Sequence, residues 1–256
     1  MTILDIQVSP AHCDWAQLRD ACVAAEGLGF GAFWTYDHLA GVHLGGDRML
    51  DCFTLLGALS QVTERIELGT MVVNVWNRRP GTVVTAAASV ALISGRPFHF
   101  GIGAGAAPGS RWAVEQDAVG HELSDSIEVR HARVVRVLEL CRQEWSPDRD
   151  QRFASFPLPS PAPTTLVGVS GRRLARIAGT HAGGINVAWD NPRRDELLAI
   201  ADEAAGGRPF ARTAWTHYDA DLLDPDHPTR VAAETAGLDR LILAELGVPT
   251  LGTIAG

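Results

Sequence analysis

An aspartate directly before a histidine, Asp37-His38, is the pair in this chain best suited to proton chemistry. Imidazole exchanges a proton near neutral pH, and an adjacent carboxylate can fix its tautomer or its loop. Taken alone, the pair reads more readily as a loop-capping aspartate beside an incidental histidine. A second candidate is Ser170-Gly171-Arg172-Arg173, at an apparent strand-to-helix junction. Free N–H groups and the helix dipole at such a junction suit a phosphate, and arginine adds direct charge. Its plainer reading is a serine N-cap worth about 1 kcal/mol. A serine-hydrolase elbow would need glycine where Arg172 stands.

Two glycine-bearing strand ends complete the candidate set. Gly101-x-Gly103-x-x-Ala106 superficially matches the dinucleotide fingerprint, but Pro108-Gly109-Ser110 stands where a helix should open. The stretch reads better as a glycine-lined mouth, with Gly103, Ala104, Gly105 and Ala106 beside a cofactor. Gly69-Thr70-Met71-Val72 closes an earlier strand, where glycine lets the backbone approach a flat ring; an ordinary strand end is the alternative. Asn74, Trp76 and Arg79 could line the substrate side, although Arg79-Pro80 also reads as a helix start. Trp112, Glu115 and His121 could close over the pocket, whereas Arg130 and Arg133 read as a solvated face or a salt-bridge partner.

These groups need a frame that brings them to one place. Short apolar runs alternate with helical patterns, the signature of repeated βα units around a parallel sheet. Strands are expected near 3–8, 31–36, 66–73, 98–103, 165–169, 184–188, 212–218 and 239–244. Helices are expected over 14–26, 51–63, 80–92, 123–144, 172–181 and 193–204. Eight such strands with right-handed crossovers close an α/β barrel of the (β/α)8 type, whose active site lies at the carboxyl ends of the strands. Ser146 to Pro163 carries five prolines and reads as an ordered loop, either a lid over the strand ends or a plain connector. The short stretch after Ala244 predicts a shortened C-terminal end, with the last outer helix short or absent. Apolar flank left open there would favour a homodimer.

At 256 residues the chain fits one domain over 1–256, and no apolar run is long enough for a membrane. A net charge of -8 argues against a nucleic-acid partner. With no basic leader at Met1, a cytoplasmic location is expected. Every basic side chain other than histidine is arginine, so lysine Schiff bases and P-loop lysines are excluded. Cys13, Cys22, Cys52 and Cys141 are scattered without metal-ligand spacing, and no metal site is expected.

Several fragments resemble, by order and spacing, the luciferase-like flavin/deazaflavin oxidoreductase family. They are Gly27-Leu28-Gly29-Phe30, Trp34-Thr35-Tyr36-Asp37-His38, Ile66-Glu67-Leu68-Gly69-Thr70, Arg79-Pro80, Ser94-Gly95-Arg96 and Gly101 to Gly105. Val167 to Arg172 and Ala178 to Ala182 extend the likeness, which runs from about Ile3 to Trp189. The resemblance implies a TIM barrel binding coenzyme F420, a deazaflavin, or FMN, with hydride transfer to or from a small organic substrate. It implies His38 as catalytic acid/base, with Asp37 contacting the cofactor or orienting His38. It also implies a non-prolyl cis peptide at Met71–Val72 behind the ring, a cofactor phosphate or tail near Ser170–Arg173, and a homodimer. Two departures matter. Family sugar-phosphate dehydrogenases carry an acid where this chain has Ala106 and a tryptophan where it has Val42, which puts sugar-phosphate oxidation in doubt. The rival readings are a reduced-FMN monooxygenase using oxygen and a flavin-binding or interaction protein without catalysis.

Overall fold

The chain was analysed as a computed structural model, which describes residues 1–249. Among the described residues, eight parallel strands close a barrel in sequence order. They are β1 (Ile3–Val8), β2 (Ala32–Thr35), β3 (Glu67–Asn74), β4 (Phe98–Gly103), β5 (Thr164–Val169), β6 (Gly184–Ala188), β7 (Ala211–His217) and β8 (Arg240–Glu245). The ring is sealed by β1 against β8, in register from Ile3↔Arg240 to Val8↔Glu245. The expected (β/α)8 architecture is therefore the observed one, with each strand within two residues of its predicted bounds.

The helices are α1 (Trp15–Gly27), α2 (Cys52–Leu59), α3 (Pro80–Ser94), α4 (Val114–Ala118), α5 (Ile127–Glu144), α6 (Arg172–His181), α7 (Arg194–Ala205) and α8 (Pro228–Thr235). Local sequence explains their starts. Asp14 and Gln17 form a reciprocal capping box on α1, and the Asp51 carboxylate caps α2. The helix predicted over 123–144 begins only at Ile127, where the Ser126 hydroxyl accepts from the Val129 N–H. The short α4 and α8 were not anticipated, because five and eight residues are too few for a helical period to stand out.

Ser146–Pro163 is not a lid. It joins the end of α5 to the start of β5, and so lies at the amino-terminal end of the barrel, opposite the strand ends that carry a barrel's chemistry. Arg149 organises it by donating to the carbonyls of Glu144, Pro157, Ala154 and Phe156. After β8, Leu246–Pro249 form no helix, and the rest of the predicted short C-terminal end lies outside the described residues.

Two layers of packing hold the site. The larger joins the outer strand faces to the helices. The smaller fills the barrel interior with Ala32, Trp34, Met71, Leu166 and Ile242. Beneath that plug sits a charged floor. Arg240 donates to both oxygens of Asp5, at 3.0 and 3.1 Å, and also to Glu67. His99 lies 2.7 Å from Glu67, and the Trp34 indole donates to Asp5 at 3.0 Å. Burial pushes Glu67 upward, but His99 and Arg240 outweigh it and hold the carboxyl below its ordinary range.

A carboxyl depressed in the folded state contributes stability above its unfolded pKa, and that share is lost as pH falls through the folded value. Stability should accordingly decline on acidification through the carboxylate range. Arg240→Ala strips the cation from two carboxylates and should cost about 3–5 kcal/mol at neutral pH, shrinking in acid as both protonate. Urea unfolding at several pH values checks this; an unchanged midpoint at neutral pH would mean the floor is satisfied without Arg240.

Candidate active site

The carboxyl end of β2 delivers Tyr36, Asp37 and His38 to the barrel mouth. Asp37 is buried, and its carboxylate is fully engaged. Arg78 donates to its two oxygens at 2.7 and 2.8 Å, the Asn74 N–H donates at 3.1 Å, and the Cys52 thiol at 3.3 Å. The Asn77 amide adds a bond to the Asp37 carbonyl at 2.7 Å. Burial pushes the Asp37 carboxyl up, against the pull of Arg78.

No hydrogen bond joins Asp37 to His38 among the described residues, so the orienting role expected of Asp37 is not what the structure displays. The carboxylate on the imidazole is Glu115, from α4, with Oε1 2.9 Å from His38 Nδ1. Its second oxygen accepts from the Leu39 and Ala40 N–H groups at 2.9 and 3.0 Å. Glu115 is 4% exposed. Burial raises its carboxyl, yet His38 and the Ala40 N–H more than reverse this and hold it low. Around His38 stand Tyr36, His43 and Trp112, with ring centroids 6.4, 6.2 and 6.4 Å away.

Two cavities share Val72 as a divider. One of about 350 Å³ is lined by Asp37, His38, Asn74, Gly103 to Ala106, Trp112 and Glu115. The other, of about 300 Å³, is bounded by Gln7, Tyr36, Met71, Gly168, Val169, Ser170, Asn186 and Trp215. The predicted cis peptide is present at Met71–Val72, and β3 slips register against β4 between Thr70 and Val73. A Cβ on Gly103 would come within 2.8 Å of Val72 Cγ2, and one on Gly168 within 2.8 Å of Val72 Cγ1. Glycine at both positions thus makes room for Val72.

Other predicted site residues fall into place differently. Gly69 does accommodate a flat ring, but the ring is the chain's own: a Cβ there would meet Trp34 at 2.5 Å. Thr70 is fully buried and donates to the Gly101 carbonyl at 3.0 Å. Neither lines a cavity, while Met71 and Val72 do. At the β5–α6 junction the N-cap is Gly171, with no side-chain cap, rather than Ser170. Arg172 pairs with Glu196 and Arg173 with Glu128, both at the surface. Val42 is 64% exposed, and His43 and Trp112 make the aromatic wall beside His38. Arg79 serves only as the N-cap of α3, and Arg133 is absorbed by the carbonyls of Val75 and Arg78.

Gln7, Asn186 and Trp215 were missed. Their signal was available: Gln7 lies between Ile6 and Val8, and Asn186 between Ile185 and Val187, polar positions facing inward on otherwise apolar strands. No cluster of metal-ligating side chains occurs among the described residues.

Gly103→Ala should push Val72 into the cavities at a cost of about 1–3 kcal/mol, and Val72→Ala in the same chain should recover most of it. Thermal unfolding of the single and double variants checks this coupling; additive losses would show that Gly103 and Val72 do not contend for one space.

A family model described as luciferase-like monooxygenase matches residues 4–216. The chain is 26% identical over 239 residues to the F420-dependent hydroxymycolic acid dehydrogenase of Mycobacterium tuberculosis, covering 88% of this chain and 63% of that protein. It is 25% identical over 233 residues to the F420-dependent glucose-6-phosphate dehydrogenase of Microbacterium testaceum, covering 83% and 66%. The chain therefore spans less than two thirds of the length of either relative. In fold it is similar to an F420-dependent secondary alcohol dehydrogenase in complex with an F420-acetone adduct, with a TM-score of 0.79 at 16% identity, covering 99% of this chain and 96% of that one.

Proposed function

The chain belongs to the luciferase-like monooxygenase family, and from that premise we propose that it is an oxidoreductase using the deazaflavin F420 with a small, uncharged organic substrate. The observation that carries the reading is His38, held by Glu115 at the wall of a cavity that meets a second one across Val72.

The mouth suits a planar cofactor. Met71, Val72 and Trp215 offer an apolar floor and side, while Gln7, Asn186 and Ser170 supply polar edges. The uncapped first turn of α6 at Gly171 is available to a phosphate, and Gly103 to Ala106 border the opposite side. Met71, Val72, Gly103, Ala104, Gly105, Ala106, Ser170 and Gly171 are the residues assigned to hold the coenzyme. Arg172 and Arg173 stand at the rim. The bound deazaflavin would supply a hydride carrier. Within that chemistry, His38 takes the hydroxyl proton of an alcohol as its C–H hydride leaves, and returns a proton in the reverse direction. Tyr36, His43 and Trp112 shield part of the imidazole from water.

Charge narrows the substrate. The cavity at His38 is lined by two carboxylates, Asp37 and Glu115, and by no arginine. The nearby Arg78 is committed to Asp37 and Asp51, and Arg111 stacks on Trp112 at 4.3 Å. Arg130 approaches only from behind the wall, donating to the Gly105 carbonyl at 3.2 Å, so no arginine lines the cavity to meet a phosphate, in keeping with Ala106 and Val42 as departures from the sugar-phosphate pattern. Neutral secondary alcohols and ketones fit this lining. A homodimer belongs to the same proposal, supported by exposed Leu92 and Ile93 at the end of α3 and exposed Val62 in the turn after α2. No helix among the described residues is long and apolar enough to cross a membrane.

Parallel fluorescence titrations with oxidised F420 and with FMN should give tight binding for F420 alone. With F420 bound, neutral secondary alcohols should be turned over in preference to glucose 6-phosphate. His38→Ala should lower kcat by about 10²–10⁴-fold while leaving F420 affinity nearly unchanged. Tight FMN binding with oxygen uptake would replace this reading by the monooxygenase one, and binding of neither cofactor would overturn both.

A further inference from the structure

We propose that Glu115 is a positioning residue for His38: it fixes the imidazole proton on Nδ1 and leaves Nε2 as the one ring lone pair facing the cavity. An ionised carboxylate can only accept, so the 2.9 Å contact from Oε1 makes Nδ1 the donor. Glu115 cannot turn away, because its other oxygen is held by two consecutive backbone N–H groups, Leu39 and Ala40. Those two residues directly follow His38, so one side chain sets both the ring and the loop that carries it.

A second line of bonds braces Glu115 from behind. Gln116 Nε2 donates to Glu115 Oε1 at 2.9 Å and to Asn77 Oδ1 at 2.8 Å, and Asn77 in turn donates to the Asp37 carbonyl. The network therefore returns to the residue just before His38. Asp37 itself cannot substitute, since its carboxylate oxygens are taken by Arg78, Asn74 and Cys52. His38 Nε2 has no protein partner among the described residues, and the side chain is 22% exposed. The groups facing the imidazole are Glu115, Tyr36, His43 and Trp112, with the Asp37–Arg78 pair behind and Arg111 beyond Trp112. The reaction served is the one proposed above, and this inference rests on that reading for its catalytic meaning. A bound deazaflavin would accept the hydride from the alcohol C–H while the alcohol O–H gives its proton to Nε2. The C=O double bond forms, and the resulting imidazolium stays beside the Glu115 carboxylate.

The test begins on the full chain without cofactor, so that it is separate from the F420 question. Histidine ¹⁵N NMR, with His38 identified by loss of its signal in His38→Gln, should show neutral His38 protonated at Nδ1. Glu115→Gln keeps an oxygen for the Leu39 and Ala40 N–H groups but removes the charge. It should shift His38 toward the Nε2–H tautomer. With F420 present, the same variant should bind the cofactor as wild type does, lose about 10²-fold in kcat, and displace the pH profile of the residual activity. Wild-type His38 protonated at Nε2, or a tautomer unmoved by Glu115→Gln, would overturn the proposal. If Glu115→Gln fails to fold, the wild-type tautomer alone decides it. The expected NMR result without F420 turnover would refute the functional reading and leave the positioning role standing.

Discussion

A carboxylate can stay charged out of water only where the fold delivers a cation and several donors to it, and Asp37 receives all of these from the segment following β3 and from α2. Arg78 reaches it from one side and pairs with Asp51, the N-cap of α2, from the other. One guanidinium thereby ties the end of β2, the loop after β3 and the start of α2 into a single corner. The geometry of His38 depends on that corner. The histidine is the next residue along the chain, and its loop has no regular structure of its own.

The same corner explains why adjacency in sequence misleads. Asp37-His38 invites a reading in which the aspartate serves the histidine. Asp37 is held in the pair with Arg78, while His38 turns to a glutamate 77 positions later. The partner of an ionisable group is set by which elements the barrel brings together, and α4, short as it is, lies over the mouth because the loop after β4 returns across it.

The barrel itself was legible because buried parallel strands are short apolar runs punctuated by turns, and helices between them are long enough to show their period. All eight strands follow from that contrast. Less was legible where two residues trade volume across strands. Gly69 carries no mark that its space belongs to Trp34, and Gly103 and Gly168 none that theirs belongs to Val72. Glycine announces close approach, but not what approaches. Proline-rich Ser146–Pro163 was similarly transparent as a loop and opaque as to which end of the barrel it serves. That follows only from counting crossovers: a helix-to-strand connection belongs to the amino-terminal face.

The position of the second carboxylate has a consequence for selectivity. An acid on the wall of the cavity at Ala106 would meet substrate directly, whereas Glu115 stands behind the imidazole and is spent on it and on two backbone donors. Its negative charge still reaches the cavity, whereas that of Asp37 is paired with Arg78, and a charge in a partly desolvated cleft acts at several times its strength in water. Arginines abound in this chain, yet those nearest the cavity are spent on Asp37, on Asp51, on backbone carbonyls and on Trp112. On the proposed reading, the residues that would prepare His38 for proton transfer would also make its surroundings hostile to an anion, so that one arrangement of buried carboxylates would set both the chemistry and the charge of what can undergo it.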